Sequence, residues 1–557
     1  MAHQDDYFTH EIIRNGLLAL GDEMFDALKR SSKSPIIYET LDFAVGLTDA
    51  QANLVTQGNG VTGFLGTLDA AVREVLAKHG DRLQPDDIYL TNDPYGGGGT
   101  HLSDVTLVKP VFADGHIVAF VACKAHWTEV GGKSAGSFTS DSSEIYQEGI
   151  QFPCVQLMRA GELNQSLLDM IAANVRLPDM TLGDLWAGVA AVQVGERRLR
   201  SLLDKYGSPT VEAAIVGLLD YGEAMVRAAL AKLPHGSYTA HDFIDDDGLG
   251  HGPFHTQVKV TIGDKFIADF TGSHAQVAGP INTTRTGVTS RIRAVFLAAT
   301  VPDIPANGGM FRLLEVVCPD ATLFTAQRPS PTSIYWETGI FAMDLVMKAL
   351  APVLPERIPA GGFASVCGTI ISGKHPESGE LYVLVEPLTG GWGAGAGKDG
   401  ERGQFGPGNG ETYNIPVEVA EARYGVRVEQ YAFHTHNAGA GRQRGGNGTV
   451  LDYRIIGKEA RFTGTYGRDK FLPWGVEGGQ SGSGNYAEIR RADGSIERVT
   501  KIAQARLAQG DLVRLYTGTG GGWGDPAQRD REQVLQDLKN EYITATQAAE
   551  HYGLTRA

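Results

Sequence analysis

Cysteine is scarce in this chain of 557 residues. The four cysteines, Cys123, Cys154, Cys318 and Cys367, lie far apart and form no CxxC pair. This spacing excludes a disulfide framework and a thiolate zinc site. We expect all four to be small buried hydrophobic residues.

Long apolar runs and an excess of basic residues are also missing. No apolar stretch approaches the roughly 18 residues of a membrane span, and the first residues, MAHQDDYFTH, are polar and acidic where a secretory signal would be basic. The sequence therefore predicts a cytoplasmic protein without membrane contact. Its 49 basic and 65 acidic residues give a net charge of -16, which argues against a nucleic-acid partner.

Two nucleotide-binding motifs are incomplete. Gly132, Lys133 and Ser134 resemble the end of a P-loop, but Trp127 occupies the position of the first glycine. The segment 58–63 matches GxGxxG without the βαβ context that a dinucleotide site requires. If the protein uses ATP, we expect the nucleotide to bind elsewhere.

Glycine is unusually frequent: 72 residues, or about 13% against roughly 7% in an average protein. Such glycines predict tight loops or close backbone approaches. The segment 390–400 could also present backbone amides to a phosphate. The clusters are Gly96 to Gly99, Gly390 to Gly410, Gly439 to Gly448, Gly475 to Gly484 and Gly518 to Gly524.

Hydrophobic periodicity predicts a large α+β protein without regular βαβ alternation. The last helix is predicted to start at Asp525 and Pro526, an N-cap followed by proline. We predict four regions: an N-terminal α+β region with a β-hairpin metal site (1–160), a helical sector (161–235), a central α+β region (236–400) and a β-rich C-terminal region with glycine loops and terminal helices (401–557).

A β-hairpin is the most informative local prediction. Two β-rich runs, VTLVKPVF and IVAFVACKAH, are joined through Asp114 and Gly115, a strong hairpin-turn signal. A regular ladder counted from this turn places Asp104 opposite Ala125, and the residue before Asp104 opposite His126. The hairpin thus gathers polar side chains at its open end.

His101, Asp104 and His126 meet at that open end. Strict alternation would place His101 and Asp104 on opposite faces, so the glycine-rich entry must leave the extended conformation before Asp104. Two imidazoles and a carboxylate form a ligand set suited to Zn²⁺, Mn²⁺ or Fe²⁺, with Asp42 as a possible fourth ligand. The alternative is a metal-free arrangement of a loop cap, a core histidine and a turn aspartate.

Other histidines are weaker metal-ligand candidates. His251 and His255 lie near three aspartates, and His434 and His436 alternate along one strand-like run. Alternation in an exposed strand explains the second pair more simply than a metal site does.

At the hairpin the sequence resembles the hydantoinase B family, which includes B subunits of N-methylhydantoinases, 5-oxoprolinases and lactamases and related subunits of acetone and acetophenone carboxylases. The resemblance extends along most of the chain. It rests on the motifs NDPYGGGGTHLSDVTLVKPVF, HWTEVGG, DFTGSHAQVAGPIN, GGWGAGAGKDG, NIPVEVAEARYGVRVE, GAGRQRGGNG, PWGVEGG and GTGGGWGDPAQRDREQVLQDL.

The resemblance implies a large α+β subunit that pairs with a hydantoinase A-type subunit of the actin/hexokinase-like ATPase class, as a heterotetramer or larger. ATP would bind to that partner. It also implies a divalent metal, zinc or manganese, held by His101, Asp104 and His126, with Asp42 matching an upstream carboxylate. Trp127 and Glu129 replace a histidine and an aspartate common in the family. Glu129 becomes the candidate catalytic base or a residue that orients a ligand.

The function implied is that of the metal-containing B subunit of an ATP-dependent hydrolase that opens hydantoin, oxoproline or lactam rings. One alternative is the metal subunit of an ATP-dependent ketone carboxylase, although the chain lacks the extensions associated with acetone carboxylase. The other is a non-catalytic subunit that only stabilises its partner.

Overall fold

The computed structural model describes residues 2–58, 60–410, 412–434 and 437–554, and only the backbone of residues 2–7. Within these ranges the chain has the mixed helix and sheet architecture predicted from its sequence. None of the described helices is both long and apolar enough to cross a membrane. The four cysteines are free and buried, as expected.

Eleven α-helices lie within the described ranges. They are α1 (Ala2–Ser31), α2 (Pro35–Tyr38), α3 (Thr67–His79), α4 (Gln165–Asn174), α5 (Pro178–Tyr206), α6 (Ser208–Leu230), α7 (Arg285–Thr300), α8 (Trp336–Leu350), α9 (Val417–Arg423), α10 (Arg531–Lys539) and α11 (Ala545–Tyr552).

The strands of the N-terminal half are β1 (Phe43–Asp49), β2 (Leu54–Gln57), β3 (Ile88–Thr91), β4 (Asp104–Ala113), β5 (His116–His126), β6 (Val155–Arg159), β7 (Glu162–Leu163), β8 (Gly236–Ile244), β9 (Phe254–Ile262) and β10 (Phe266–Asp269). Those that follow are β11 (Leu314–Val317), β12 (Gly368–Lys374), β13 (Leu381–Glu386), β14 (Val426–Phe433), β15 (Thr449–Ile455), β16 (Glu459–Thr465), β17 (Tyr486–Arg490), β18 (Ile496–Val499), β19 (Lys501–Ala508) and β20 (Leu512–Tyr516).

These strands form four sheets. The largest has seven strands in the order β2-β1-β5-β4-β3-β6-β7, and the others are β11-β10-β9-β8, β13-β12-β16-β19 and β14-β15-β20-β17-β18. The second sheet contains a parallel pair, β10 with β11. The two C-terminal sheets share a hydrophobic core between Phe363 and Leu515, whereas the main core draws residues from Ile13 to Trp523. The four-region division stays a prediction.

The seven-stranded sheet is covered by helices on both faces. Leu107 and Cys123 face the side where Gly188 of α5 packs closely against them. Val108 and Phe120 face the other side and share a core with Val72 of α3. Burial on both faces explains why β4 and β5 read as nearly continuous apolar runs rather than as alternating ones.

The predicted hairpin is present, but its predicted register is wrong beyond the first few residues. Asp114 and Gly115 have φ values of 50° and 83°, as the two central residues of a type I′ turn require. Next to the turn the predicted pairing holds. A β-bulge then inserts Val118 as one extra residue in β5, so Asp104 lies opposite His126 and not opposite Ala125.

The predicted start of the last helix is also wrong. Asp525 does cap the amide of Ala527, but only a single 3-10 turn follows. The helix α10 begins later, where Asp530 accepts hydrogen bonds from the amides of Glu532 and Gln533. The chain therefore uses two successive aspartate caps where the sequence suggested one.

The glycine clusters pack backbone against backbone. A Cβ on Gly520 would lie 1.8 Å from the carbonyl oxygen of Trp392, and one on Gly446 would lie 1.8 Å from that of Glu401. The amides of Gly391 and Gly400 donate to the carbonyls of Gly518 and Arg444. These amides are therefore occupied within the protein, which favours a packing role for segment 390–400 over phosphate binding.

Candidate metal centre

Three neighbouring strands of the large sheet bring the predicted ligands to one end. β5 lies between β1 and β4 and is antiparallel to both. Its last residue, His126, is therefore beside Asp104, the first residue of β4, and beside Asp42, which directly precedes β1. The amide of His126 donates to the carbonyl of Asp42 at 3.0 Å. The topology thus gathers residues that are far apart in sequence.

His101 reaches the same point through a turn before β4. Gly97 and Gly98 have φ values of 108° and 81°, which L side chains rarely adopt. The amide of Asp104 then donates to the carbonyl of His101 at 3.2 Å. The buried ammonium of Lys124 holds the glycine loop through the Gly98 carbonyl. The predicted departure from the extended conformation is confirmed.

The three candidate ligand atoms form a nearly equilateral triangle. His101 Nε2 lies 3.2 Å from His126 Nδ1 and 3.2 Å from Asp104 Oδ1, and His126 Nδ1 lies 3.4 Å from Asp104 Oδ1. All three side chains are almost completely buried. They are the group of histidine and acidic residues in the described chain whose atoms could hold one metal ion.

The two oxygens of Asp104 have different surroundings. Oδ2 accepts hydrogen bonds from the hydroxyls of Thr100 and Tyr335, whereas Oδ1 is buried without a hydrogen-bond donor and faces the imidazoles. Burial acts to raise the pKa of Asp104, but His101 and His126 outweigh it and hold that pKa well below its usual range. The carboxylate is therefore kept in the form that binds a cation.

The orientation of His101 is fixed by the backbone of a distant loop. Its Nδ1 donates to the carbonyl of Ser333 at 3.0 Å, which leaves Nε2 facing Asp104 and available as a metal ligand when the imidazole is neutral. The Ser333 amide in turn donates to Glu148 Oε1 at 2.9 Å. Glu148 is fully buried, and this burial raises its pKa to about 7.

Asp42 is beside the triangle rather than part of it. Its Oδ2 lies 3.9 Å from His126 Nδ1, and a quarter of its side chain is exposed. Burial raises the pKa of Asp42 to about 6, with Asp104 acting in the same direction and His126 and Arg291 opposing it. Asp42 can therefore complete a ligand set or exchange a proton near neutral pH.

The donor set fits a divalent transition metal. Ligand atoms about 2.1 Å from a tetrahedral zinc ion lie about 3.4 Å apart, close to the observed 3.2 to 3.4 Å. The unpartnered Asp104 Oδ1 supports the same interpretation, because a buried oxygen without a donor or cation is unfavourable. Two imidazoles and a carboxylate leave coordination positions open for water or substrate.

A narrow cleft of about 50 Å³ lies against this cluster. Its polar lining includes Asp42, Arg291, Glu386 and Asn409 in addition to the three triangle residues. The rest is mainly apolar and aromatic, formed by Ile36, Val61, Phe64, Phe138, Trp336, Val366 and Val385. Such a combination is typical of a small-molecule site.

Glu129 lies outside the residues that line this cleft. Its carboxylate accepts hydrogen bonds from the amides of Gly131 and Gly136 and forms an ion pair of 2.8 Å with Arg176. Burial raises its pKa against the opposing effect of these contacts. Its catalytic role stays a prediction, and its contacts are those of a residue that organises the loop after β5.

The weaker candidates lie elsewhere. His251 contacts Asp247 at 2.8 Å and is largely exposed, and His255 packs against the rings of neighbouring β8 residues. His434 contacts the carbonyl of Thr517, while its predicted companion His436 lies outside the described residues. One residue of the GxGxxG segment, Asn59, also lies outside them.

Several residues of the cleft were not predicted from the sequence. Arg291 lies among buried Val288, Ile292 and Val295 of α7, and a charged residue on an apolar helix stripe is a signal that could have identified it. Tyr335 and Trp336 pack their rings against His101 at 5.2 and 5.4 Å. No local pattern links these two residues to a hairpin more than 200 positions earlier.

Two sequence relatives of the chain are named as B or beta subunits. It is 30% identical to a Pseudomonas sp. (strain NS671) protein assigned as the B subunit of a D-/L-hydantoinase, over 99% of this chain and 95% of that protein. It is also 30% identical to the beta subunit of caprolactamase from Pseudomonas jessenii, over 99% of this chain and 96% of that protein.

Two solved structures share the fold. The crystal structure of ATP-dependent caprolactamase from Pseudomonas jessenii matches with a TM-score of 0.91 at 29% identity, over 99% of this chain and 96% of the other. Nucleotide-free acetone carboxylase matches with a TM-score of 0.92 at 19% identity, over 98% of this chain and 79% of the other. The second likeness shows the fold alone.

The sequence model of one family matches nearly the whole chain. Its match runs over residues 6–526 and therefore includes the hairpin, the cleft and the glycine-rich segments. The resemblance inferred from the motifs is confirmed: this chain belongs to the hydantoinase B/oxoprolinase family.

Proposed function

We propose that this chain is the metal-containing B subunit of an ATP-dependent cyclic amide hydrolase that works with a hydantoinase A-type, ATP-binding subunit in a heterotetramer or larger complex. The observation that carries the proposal is the buried His101, Asp104 and His126 triangle at the base of a small-molecule cleft. The relatives named as hydantoinase and caprolactamase subunits support the substrate class of hydantoin, oxoproline or lactam rings.

The reaction needs activation because an unstrained amide resists hydrolysis. In the proposed sequence, the partner transfers the γ-phosphoryl group of ATP to the amide oxygen, which turns that oxygen into a leaving group and releases ADP. Water then adds to the same carbon in the cleft of this chain, and the ring C–N bond breaks as the nitrogen takes up a proton. A second water hydrolyses the resulting acyl phosphate to the carboxylate and inorganic phosphate. A zinc or manganese ion held by His101 Nε2, Asp104 Oδ1 and His126 Nδ1 would supply Lewis-acid chemistry, polarising substrate oxygen and acidifying water.

The residues around the triangle orient its side chains, accept a proton and restrict water. The Ser333 carbonyl and the hydroxyls of Thr100 and Tyr335 orient His101 and Asp104. Asp42, partly exposed to the cleft and with a pKa of about 6, is placed to accept a proton from the attacking water at its Oδ2, unless it serves as the fourth ligand. The aromatic walls restrict bulk water.

A ketone carboxylase subunit is the second candidate, because acetone carboxylase shares the fold. In that reaction a phosphorylated enol would meet carbon dioxide or bicarbonate in the same cleft. Sequence identity favours the first candidate: this chain is 29% identical to caprolactamase and 19% identical to acetone carboxylase.

The test is to co-express the chain with the neighbouring A-type subunit and to measure ATP turnover with hydantoins, lactams and ketones, with and without bicarbonate. Amide-dependent ADP release without a carboxylated product supports the hydrolase. A carboxylated ketone would select the second candidate instead. Unchanged activity of a His126→Ala complex would show that this subunit has only a structural role.

A further inference from the structure

Arg291 is a buried cation in the wall of the cleft. It lies in the middle of α7 and is only 2% exposed. Two glycines from separate segments make room for it. A Cβ on Gly63 would lie 1.9 Å from Arg291 Nη1, and one on Gly408 would lie 2.1 Å from the same atom. The space around the guanidinium is therefore built into the fold.

Few contacts inside the protein use this guanidinium. Nη1 donates to the carbonyl of Gly408, whereas Nε is buried without a hydrogen-bond partner. In the part of the chain that the structure describes, no carboxylate oxygen lies within 4.0 Å of its nitrogens, and Asp42, whose pKa Arg291 lowers, acts on it from beyond that distance. Glu386, a carboxylate lining the same cleft, instead accepts hydrogen bonds from Asn414, Ile415 and Tyr453.

Arg293, two residues later in the same helix, has the ion pair that a buried arginine usually forms. Its guanidinium contacts both carboxylate oxygens of Asp69 at 3.0 and 3.1 Å. Asp69 is also bound by Arg73. The helix α7 thus carries two arginines, Arg285 and Arg293, that form ion pairs with aspartates. The third, Arg291, has no ion pair among the described residues, and it lines the cleft.

A buried guanidinium without a counter-charge is unfavourable unless something compensates it. Arginine offers five N–H donors in a planar fork. Such a fork matches the paired oxygens of a carboxylate or a phosphoryl group, which it binds through parallel hydrogen bonds. Because Arg291 faces the cavity that contains the metal-ligand triangle, the compensating group would be part of a small molecule bound there.

We propose that Arg291 binds an oxyanion of the substrate, either a carboxylate on the ring or the phosphoryl group transferred to it, and so fixes the substrate beside His101, Asp104 and His126. This proposal rests on the proposed function and makes it more specific: the molecule in the cleft carries a negative charge when it reacts. Neutral lactams would acquire that charge only by phosphorylation.

The first test is direct binding without ATP turnover. Isothermal titration of the zinc-loaded full chain with inorganic phosphate and with acetate should show saturable binding of at least one anion. Arg291→Gln should weaken that binding at least tenfold, and Arg291→Lys should weaken it less. Arg293→Gln is the matched control and should bind as the unaltered chain does, because Asp69 keeps Arg73 as its partner.

Two results would overturn the proposal. One is equal anion binding by the Arg291→Gln chain, which would mean that the anion contacts the zinc alone. The other is no saturable binding by the unaltered chain. Thermal unfolding shows whether Arg291 has a structural role instead. Replacing an unpaired buried charge should leave Tm unchanged or raise it, whereas replacing an arginine that stabilises the fold would lower Tm.

Steady-state kinetics of the complex then distinguish the two sources of the charge. If a ring carboxylate is bound, Arg291→Gln lowers kcat/KM at least tenfold for oxoproline-type rings but not for neutral lactams. If the transferred phosphoryl group is bound, Arg291→Gln lowers kcat/KM equally for both substrates. Equal kcat/KM for both chains on both substrates would contradict the proposal. Arg291-dependent anion binding in a complex without amide-dependent ADP release would refute the proposed function alone.

Discussion

Asp104 and His126 lie directly opposite each other on neighbouring antiparallel strands, and a single extra residue in β5, Val118, puts them there. Residues opposite each other in such a ladder point to the same face, with Cβ atoms about 5 Å apart. Without the bulge, the partner of Asp104 would be Ala125. The candidate metal-ligand triangle therefore depends on an irregularity near the turn, at the other end of the hairpin.

Removing a triangle ligand should abolish metal binding. We expect about one zinc or manganese ion per unaltered chain, and a near-complete loss in Asp104→Asn and His126→Ala, because each change removes one of three protein ligands. Plasma mass spectrometry of dialysed protein measures this. His116→Ala is the control, since His116 is at the turn end of the same strand and half exposed. Full metal content in His126→Ala would contradict the assignment.

Glu148 should affect the affinity for the metal without contacting the ion. Its carboxylate holds the amides of Thr332 and Ser333, and the Ser333 carbonyl orients His101. Substitution of such supporting residues typically weakens metal affinity about 10- to 100-fold. Competition with a chelator should therefore show this loss in Glu148→Ala. An affinity equal to that of the unaltered chain would show that His101 is oriented by other contacts.

Glu129 should matter for stability more than for metal binding. Glu129→Gln weakens the contacts with Gly131, Gly136 and Arg176, and we expect a loss of about 1–3 kcal/mol in the free energy of unfolding. Urea unfolding and metal analysis check this together. If stability is unchanged but kcat falls by about two orders of magnitude or more, the catalytic role predicted from the sequence would be supported instead.

Glu386 should make the protein less stable as the pH rises. Burial raises its pKa to about 7, so the native state holds a proton that the unfolded chain releases above about pH 4.5. The contribution of Glu386 to the free energy of unfolding is therefore present at low pH. It falls between about pH 4.5 and 7, by on the order of 3 kcal/mol. Urea unfolding of Glu386→Gln should show a flatter pH dependence. The exposed Glu380→Gln should match the unaltered chain.

The packed glycines should not tolerate even a methyl group. In Gly520→Ala the new Cβ would meet the Trp392 carbonyl at 1.8 Å, and we expect a loss of at least about 3 kcal/mol, because backbone atoms cannot move aside as a side chain can. Gly395 and Gly397 have open space at their Cβ positions, so alanine there is the control. Thermal unfolding of all three variants gives the comparison, and equal Tm values would contradict the packing.

Local patterns were sufficient to predict most elements but not the distances between them. The hairpin followed from Asp114 and Gly115, and three of the metal-ligand candidates from the residues at its open end. The register failed because nothing in the run of buried residues identifies Val118 as a bulge. Arg291 and Ser333 were missed because their positions near the triangle are set by contacts with residues more than 100 positions away, which periodicity does not encode.

The support of His101 by the Ser333 carbonyl has a consequence for biosynthesis. All the candidate ligands precede residue 127, but the group that orients one of them is synthesised some 200 residues later. A ribosome-bound chain that has emerged only through β5 would thus hold zinc loosely, and tight retention would begin after the segment before α8 has docked. Metal uptake would then follow the docking of that segment rather than nucleate the fold.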